Sequence, residues 1–521
     1  MRVLVGHSYF LRFDEKLWQA MQPYPPLGTL YAAAMLRERG HEVAVFDAVL
    51  SESTAEWDAL LASKRPEVAV LFEDNFNYLS KMCLLRMREA AFEMIAAARA
   101  RGITVVACGA DVTDHAREYL DRGADYAIVG EGEETLCELV DALSSAQMDV
   151  SAIAGLVYRD RSGEVVDTGH RPNLTQLDDL PLAAYDLIDL QGYRDAWRLH
   201  GRFSLNLVSS RGCPFHCNWC AKPIWGQRYN VASPARITRE IENLRTLGAD
   251  HVWFMDDILG IKPSWMTELA GRLEAAHAVT PFKSLSRADL LLRPGEIESL
   301  RRAGCETVWI GAESGSQKIL DAMEKGTTVD QLHEVARRLR ANGIKVAFFL
   351  QFGYPGETWD DIEATLDLVR AADPDDIGMS VSYPLPGTPF YERVKAEMAG
   401  PHNWQTSDDM AMLYDGPYPT KFYRLLHTRL HAEFRTQKAR RGRSLSSTAL
   451  DLATHGRPRR LAMLARDVAW LQLLKARLNQ KRRTTRRNDT SLPTELTREQ
   501  AGTPDEADVL PVIGSGPRQR S

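Results

Sequence analysis

Residues 204–220 read SLNLVSSRGCPFHCNWC: a strand pattern, Ser204–Ser209, running straight into Cys213-Pro-Phe-His-Cys217-Asn-Trp-Cys220. Three cysteines spaced CxxxCxxC on one loop can wrap one corner of a cubane [4Fe–4S] cluster. Three thiolates leave the fourth iron open to bind a substrate or cofactor. A structural zinc would want a fourth protein ligand in tetrahedral geometry. The nearest candidate, His216, lies inside the tight loop and points elsewhere if its neighbours ligate.

Downstream of the loop, apolar strand runs alternate with amphipathic stretches. The strands are His251–Met255, Lys283–Ser286, Thr307–Gly311, Lys345–Phe352 and Ile377–Ser382, with helices expected between them. Six βα units, counting Ser204–Ser209, predict a partial (β/α)6 barrel whose working face is the strand C-termini. Upstream, Arg2–Gly6, His41–Phe46, Glu67–Phe72, Ile103–Cys108 and Tyr126–Val129 alternate with helices at Thr29–Arg39, Leu84–Arg101 and Glu133–Leu143. That order implies a parallel, doubly wound, Rossmann-like sheet. Ligands of such sheets sit outside the strands' carboxyl ends, here Gly6–His7, Glu73–Asn75, Gly109–Asp111 and Gly130–Glu133. The chain is therefore α/β throughout, with no internal repeat beyond this architecture. Its expected parts are a doubly wound domain (1–145), a hairpin and linker (146–198), the barrel (199–422), a basic helical extension (423–487) and a disordered tail (488–521).

The 521 residues are 44% hydrophobic and 26% charged, which suits several globular domains and excludes wholesale disorder. No apolar run is long enough to span a membrane. The start, MRVLVGHSYF, lacks a secretory pattern, and seven Cys form no disulfide framework, so a cytoplasmic protein is expected. Net charge is −6, but Arg435–Arg487 carries 16 Lys and Arg against two Asp. Within that arm Leu461, Leu464, Val468, Leu471, Leu474 and Leu478 share one helix face. Such a helix can dock on the barrel or lie at an anionic membrane surface. Nucleic acid is disfavoured, because no series of aromatics interleaves with the charges; Trp470 stands alone.

With its cysteine loop on a βα barrel, the chain resembles the radical S-adenosylmethionine (radical SAM) enzymes. Their signature is CxxxCx-aromatic-C, and Trp219 fills the aromatic place. The resemblance implies that S-adenosylmethionine chelates the open iron through its amino and carboxylate groups. One electron from the reduced cluster then gives a 5′-deoxyadenosyl radical, the electron coming from a donor such as flavodoxin or ferredoxin. It also implies S-adenosylmethionine contacts at other strand ends: Asp256 and Asp257, where the family commonly has Gly-Gly-Glu; Arg287; Glu313 and Ser314, in a GxE-like element; and Gln351. Plainer alternatives stay open, such as a helix cap at Asp257 or Glu313 and a simple surface Arg at Arg287.

The order of doubly wound domain, hairpin and radical barrel resembles the cobalamin-binding branch of that superfamily over about residues 1–420. Pro25-Pro26-Leu27-Gly28 and Gly130-Glu131-Gly132-Glu133 carry the likeness. It implies that Pro26, Gly28, Gly109, Gly130, Glu131, Gly132 and Glu133 line the corrin, where glycines let backbone approach a large flat ligand. The Asp-x-His-x-x-Gly signature is absent, and His7 and Asp114-His115 are poor substitutes. The cobalt is then expected to have no protein ligand below it, or a weak one. The implied reaction is methyl transfer to an unactivated carbon of a small molecule or lipid. Three rivals are weighed beside it. One is radical cyclisation or rearrangement, as in the anaerobic magnesium-protoporphyrin monomethyl ester cyclases. Another is a tRNA methylthiotransferase-like enzyme, with Cys83, Cys108 and Cys137 holding a second cluster. The last is a nucleic-acid-binding or scaffold protein with a structural cluster.

Overall fold

The computed structural model describes residues 1–82, 84–145, 149–398, 403–407, 409–440 and 458–484. Strands β1 (Arg2–Gly6), β2 (Glu42–Phe46), β3 (Val68–Phe72), β4 (Thr104–Cys108) and β5 (Tyr126–Ile128) pair in parallel in the order β2-β1-β3-β4-β5. All five residues of β3 are buried, because helices cover both faces of the sheet. The order reverses between β1 and β3, which makes their C-terminal ends the switch-point crevice.

The expected hairpin extends this sheet. Its strands β6 (Leu156–Arg159) and β7 (Val165–Asp167) add antiparallel to β5. The rest of the expected linker is a strap rather than a spacer. Its helix Leu190–Trp197 anchors Trp197, whose indole N–H donates to the Pro23 carbonyl at 2.7 Å. Tyr185 donates to Asn206 O at 2.6 Å, and Asn206 Nδ2 donates to Pro25 O at 3.0 Å. One continuous apolar core accordingly spans both halves, from Leu27, Tyr31 and Phe76 to Trp225, Val252 and Phe348. Among the helices unseen in the sequence are Ala55–Lys64 and Ala110–Asp121; the second is interrupted by non-helical backbone at His115.

The barrel strands are β8 (Ser204–Leu207), β11 (His251–Phe254), β12 (Phe282–Ser286), β13 (Cys305–Glu313), β14 (Lys345–Phe352) and β15 (Asp376–Val381). Each pairs in parallel with its neighbour in the order β15-β14-β13-β12-β11-β8, an open half barrel. A short ribbon of β9 (Ser210–Arg211) and β10 (Asn230–Val231) follows β8 and pinches the base of the cysteine loop.

Helix Thr420–Arg440 belongs to the barrel, with Phe422, Tyr423, Leu426 and Leu430 in its core. Helix Pro458–Thr484 packs on it, burying Leu464, Leu474 and Leu478, and Arg435 pairs with Asp467 at 2.7 Å. That is the face expected from the leucine spacing; the side chain of Leu461 lies outside the described residues. Cys108 and Cys137 are fully buried in the apolar core of the first sheet, where a second cluster has no room. Cys83 and the expected disordered tail lie outside the described residues. No described helix is long and apolar enough to cross a membrane.

Candidate active site

The cysteine loop leaves the ribbon through Gly212 (φ +81°), whose Cβ would lie 2.3 Å from the Arg228 carbonyl oxygen. Only glycine turns the chain there. Cys220 donates its backbone N–H to Cys217 O at 3.1 Å, closing the loop tightly. Burial pushes the Cys220 thiol up to about 12, with Asp257, Cys213 and Cys217 adding to it against Lys222. Burial likewise raises Cys213. His216 is exposed and turned away. Among the described residues, no three His, Cys, Asp or Glu side chains converge as one metal ion requires. A cubane gives each cysteine its own iron, so its thiols need not meet at a point.

Positive charge surrounds these thiols. The Arg287 guanidinium is 4% exposed, lies 3.7 Å over the Phe215 ring and reaches to 3.9 Å from Cys217 Sγ. Its Nη2 donates to Lys325 O at 2.8 Å, and its Nε pairs with Asp289 at 3.0 Å. Lys325 in turn pairs with Glu313 at 2.8 Å, both buried. Glu313 ends β13 with φ +57°, at a register shift against β14. A Cβ at Gly311 would come within 2.4 Å of Glu313 Oε1 and 2.6 Å of Lys325 Nζ.

The two aspartates at the end of β11 divide their work. Asp256 accepts from Ser209 N at 3.1 Å, from Ser209 Oγ at 2.6 Å and from Ser210 Oγ. It is 1% exposed, and burial pushes its carboxyl up to about 6 despite those donors. Asp256 thus fastens the strand that feeds the cysteine loop. Asp257 instead pairs at 2.6 Å with Lys81, on helix Tyr78–Met82 of the N-terminal half. Ser314 bonds Thr365 at 3.1 Å, and Gln351 donates to Ser382 at 3.0 Å. Trp219 packs beside Tyr354 and Phe390, and its buried Nε1 has no partner. Asp256→Ala would strand three donors, at about 1–3 kcal/mol each. We expect a loss of about 3 kcal/mol or more in anaerobic denaturant unfolding, with less iron retained per chain after reconstitution.

Two residues that the spacing did not disclose complete this side. Asn218 pegs the middle of the loop into the barrel: its Nδ2 donates to Ala322 O at 2.9 Å, and its Oδ1 accepts from Tyr354 OH at 2.8 Å. Tyr78, three residues before Lys81, enters from the N-terminal half. It is half exposed, with its hydroxyl end among protein groups. That enclosure raises its hydroxyl, as do Cys220, Glu313, Tyr383 and Asp257.

Across the cleft, the crevice of the first sheet is set by Glu73 and Asp74. Glu73 accepts from Ser8 N at 3.0 Å, and Asp74 accepts from Gly28 N at 3.0 Å and Phe76 N at 3.2 Å. Burial raises both carboxyls. Pro26 caps helix Leu27–Glu38. Gly109 backs onto Glu73, and Gly132 onto Cys108, whose Sγ a Cβ would meet at 2.3 Å. Gly130 (φ +76°) is buried, and a Cβ placed there would meet His170 Nδ1 at 3.8 Å and the Ile224 carbonyl oxygen at 3.9 Å. Glu131 and Glu133 turn to Arg211 of β9: Glu133 sits 2.8 Å from its Nη1, and Glu131 is closer still. Trp225 also donates to Glu131, at 3.2 Å, and Phe76 stacks on Trp225 at 5.0 Å. The sheet edge and the cysteine loop are thereby tied together two residues from Cys213.

Comparison with known proteins matches residues 207–369 to the radical SAM superfamily and residues 19–140 to the B12 binding domain. The chain is a radical SAM enzyme with a B12-binding domain. It is 28% identical over 374 residues to an uncharacterised methyltransferase of Pyrococcus horikoshii, covering 71% of this chain and 78% of that one. It is 26% identical over 328 residues to an anaerobic magnesium-protoporphyrin IX monomethyl ester cyclase of Synechocystis, covering 61% and 63%. The fold is shared with a radical S-adenosylmethionine methyltransferase, TsrM, of Kitasatospora setae, solved with cobalamin and a [4Fe–4S] cluster bound. There the TM-score is 0.64 at 21% identity, over 77% of this chain and 78% of that one.

The residues present suit both cofactors of a radical SAM enzyme with a B12-binding domain. Three neighbouring thiols flanked by Arg287 and Lys222 match an anionic cluster. At the sheet crevice, the buried Asn75 Oδ1 and Ser80 Oγ have no partner among the described residues, as suits a ligand fringed with amides. His7 is spent within the fold: its ring nitrogens lie 3.0 Å from Ala48 N, 3.3 Å from Asp47 Oδ1 and 3.3 Å from Tyr9 N. Of the residues with corrin contacts expected, Gly130 is buried beside His170 and Ile224, while Glu131 and Glu133 are engaged by Arg211.

Proposed function

We propose that this radical SAM enzyme transfers a methyl group to an unactivated carbon of a small molecule or lipid. One observation carries the reading: Arg211, two residues before Cys213, ties the strand-end edge of the B12 domain to the cysteine loop of the barrel. When bound, the cluster supplies an open iron and an electron for S-adenosylmethionine, and cobalamin supplies a methyl carrier. The chain does the rest. Cys213, Cys217 and Cys220 would hold the cluster, and Asp256 and Asn218 keep their loop in place. Glu313 and Lys325 present a carboxylate and an ammonium at the strand tops, complementary to the charged ends of an amino-acid moiety. Tyr78 narrows the cleft from the N-terminal side and keeps water from the reacting carbon.

The named relatives support methyl transfer first and oxidative cyclisation second. The test is anaerobic reconstitution with cobalamin, then S-adenosylmethionine and dithionite. Methyl transfer gives both 5′-deoxyadenosine and S-adenosylhomocysteine from cobalt-loaded protein. Only 5′-deoxyadenosine favours cyclisation, and neither product sinks both readings. We place the enzyme in the cytosol, reduced by a flavodoxin- or ferredoxin-type donor. Peripheral contact with an anionic membrane belongs to the same reading: Met463, Trp470 and Leu473 stand exposed on helix Pro458–Thr484 among Arg466, Lys475 and Arg477.

A further inference from the structure

The inner face of the half barrel is not packed. Along its strands the helix-facing residues Val252, Phe282, Val308, Ile310, Phe348 and Leu350 are at most 1% exposed. Their inward-facing neighbours Trp253, Lys283, Leu285, Trp309 and Gly311 are half-buried, and Phe349 is 39% exposed. The register stacks these in layers. Trp253, Lys283 and Thr307 share one layer, Leu285 and Trp309 the next, and Gly311, Phe349 and Gly378 the one above. Trp309 and Phe349 stack at 4.5 Å and form one wall of this lumen.

Lys283 stands at its lower end, four residues and so about 13 Å of strand below Arg287 at the cluster edge. Its ammonium lies 4.0 Å over the Trp253 ring and 5.0 Å from that of Tyr24. Among the described residues no carboxylate is within ion-pair distance of it. Glu306 is taken by Arg202 at 3.1 Å, and Asp376 accepts from its own neighbour Ile377 N at 2.8 Å. Burial, with Arg202 adding, pulls the amine down to about 7 against Asp376. The buried Trp253 Nε1 beside it also lacks a partner. An amine held only by aromatic faces, with no carboxylate beside it, is an incomplete site, because an ammonium taken from water ordinarily has a counter-charge.

We propose that Lys283 anchors the anionic head of an elongated, apolar-bodied organic acid. Its body lies along Trp309 and Phe349, and its far end rises to the cluster edge. This rests on the radical reading above and narrows the substrate to a class. The probes are decanoate, decyl phosphate and decanol, titrated calorimetrically into anaerobic holoenzyme. Wild type is expected to bind decanoate at least about tenfold tighter than decanol, about 1.4 kcal/mol. Lys283→Met is expected to lose that preference while binding decanol unchanged, and Lys283→Arg to keep it. Decyl phosphate binding tighter than decanoate would support the anchor and assign the head as a phosphate. Equal binding of acid and alcohol by wild type, or an undiminished preference in Lys283→Met, would overturn it. Production of 5′-deoxyadenosine by the same preparations separates the two claims: its loss in wild type concerns the radical reading, not the anchor.

Discussion

Cys217→Ala, like Cys213→Ala and Cys220→Ala, yields a folded protein that retains no cubane cluster and cleaves no S-adenosylmethionine. The loop offers three thiols for three irons, and Asp257, the carboxylate whose charge bears on Cys213 and Cys220, is already paired with Lys81. The fall in 5′-deoxyadenosine formation is expected to reach about 10³-fold or more, about 4 kcal/mol of lost barrier-lowering. Stability of the cluster-free protein should hardly change. The loop is pegged by Asn218, Asp256 and the β9–β10 ribbon rather than by its thiols. Iron and sulfide content, the EPR signal of the reduced protein and product formation check it together. A Cys217→Ala protein with full iron and full cleavage would refute the assignment.

What the sequence disclosed was what lies close together along it. The cysteine loop occupies eight residues, and the strands announce themselves as short apolar runs, so cluster, sheet and half barrel were all legible. Contacts between distant segments were not. Glu131 and Glu133 sit on a Gly-rich turn that reads as a ligand edge, but their partner Arg211 lies some 80 residues away. Asp256 follows a strand end as a cofactor ligand would, and only the fold shows it committed to Ser209 and Ser210. Tyr78 and Lys81 ride on a five-residue helix too short to leave a periodic trace. The hairpin's two strands were visible, but nothing local says that they complete a sheet begun at Arg2. Lys283 reads as one charge in a short strand; its position inside the barrel follows from register against Trp253 and Thr307.

The same distant pairing carries the largest stability effect expected here. Arg211 is 2% exposed between Glu131 and Glu133, themselves nearly as buried. Burial works against its charge, but Glu133 and Glu131 outweigh that and keep it protonated. Arg211→Met leaves two carboxylates in a dry interface with no cation, at a cost of about 3–5 kcal/mol. The unpaired carboxyls would then titrate above their unfolded values. Stability of the variant is therefore fullest below the ordinary Glu range and is lost as pH rises through the raised values. Its deficit against wild type should be largest near neutrality and shrink on acidification. The triple variant Arg211→Met, Glu131→Gln, Glu133→Gln removes every charge and should recover much of the loss, because dismantling a whole buried ionic group is far cheaper than orphaning part of it. Denaturant midpoints at two pH values distinguish this from simple loss of packing. A triple variant no more stable than Arg211→Met would mean that shape, not charge, joins the halves. Because Arg211 lies two residues before Cys213, the single variant should also take up less iron than wild type, and the triple variant more than the single.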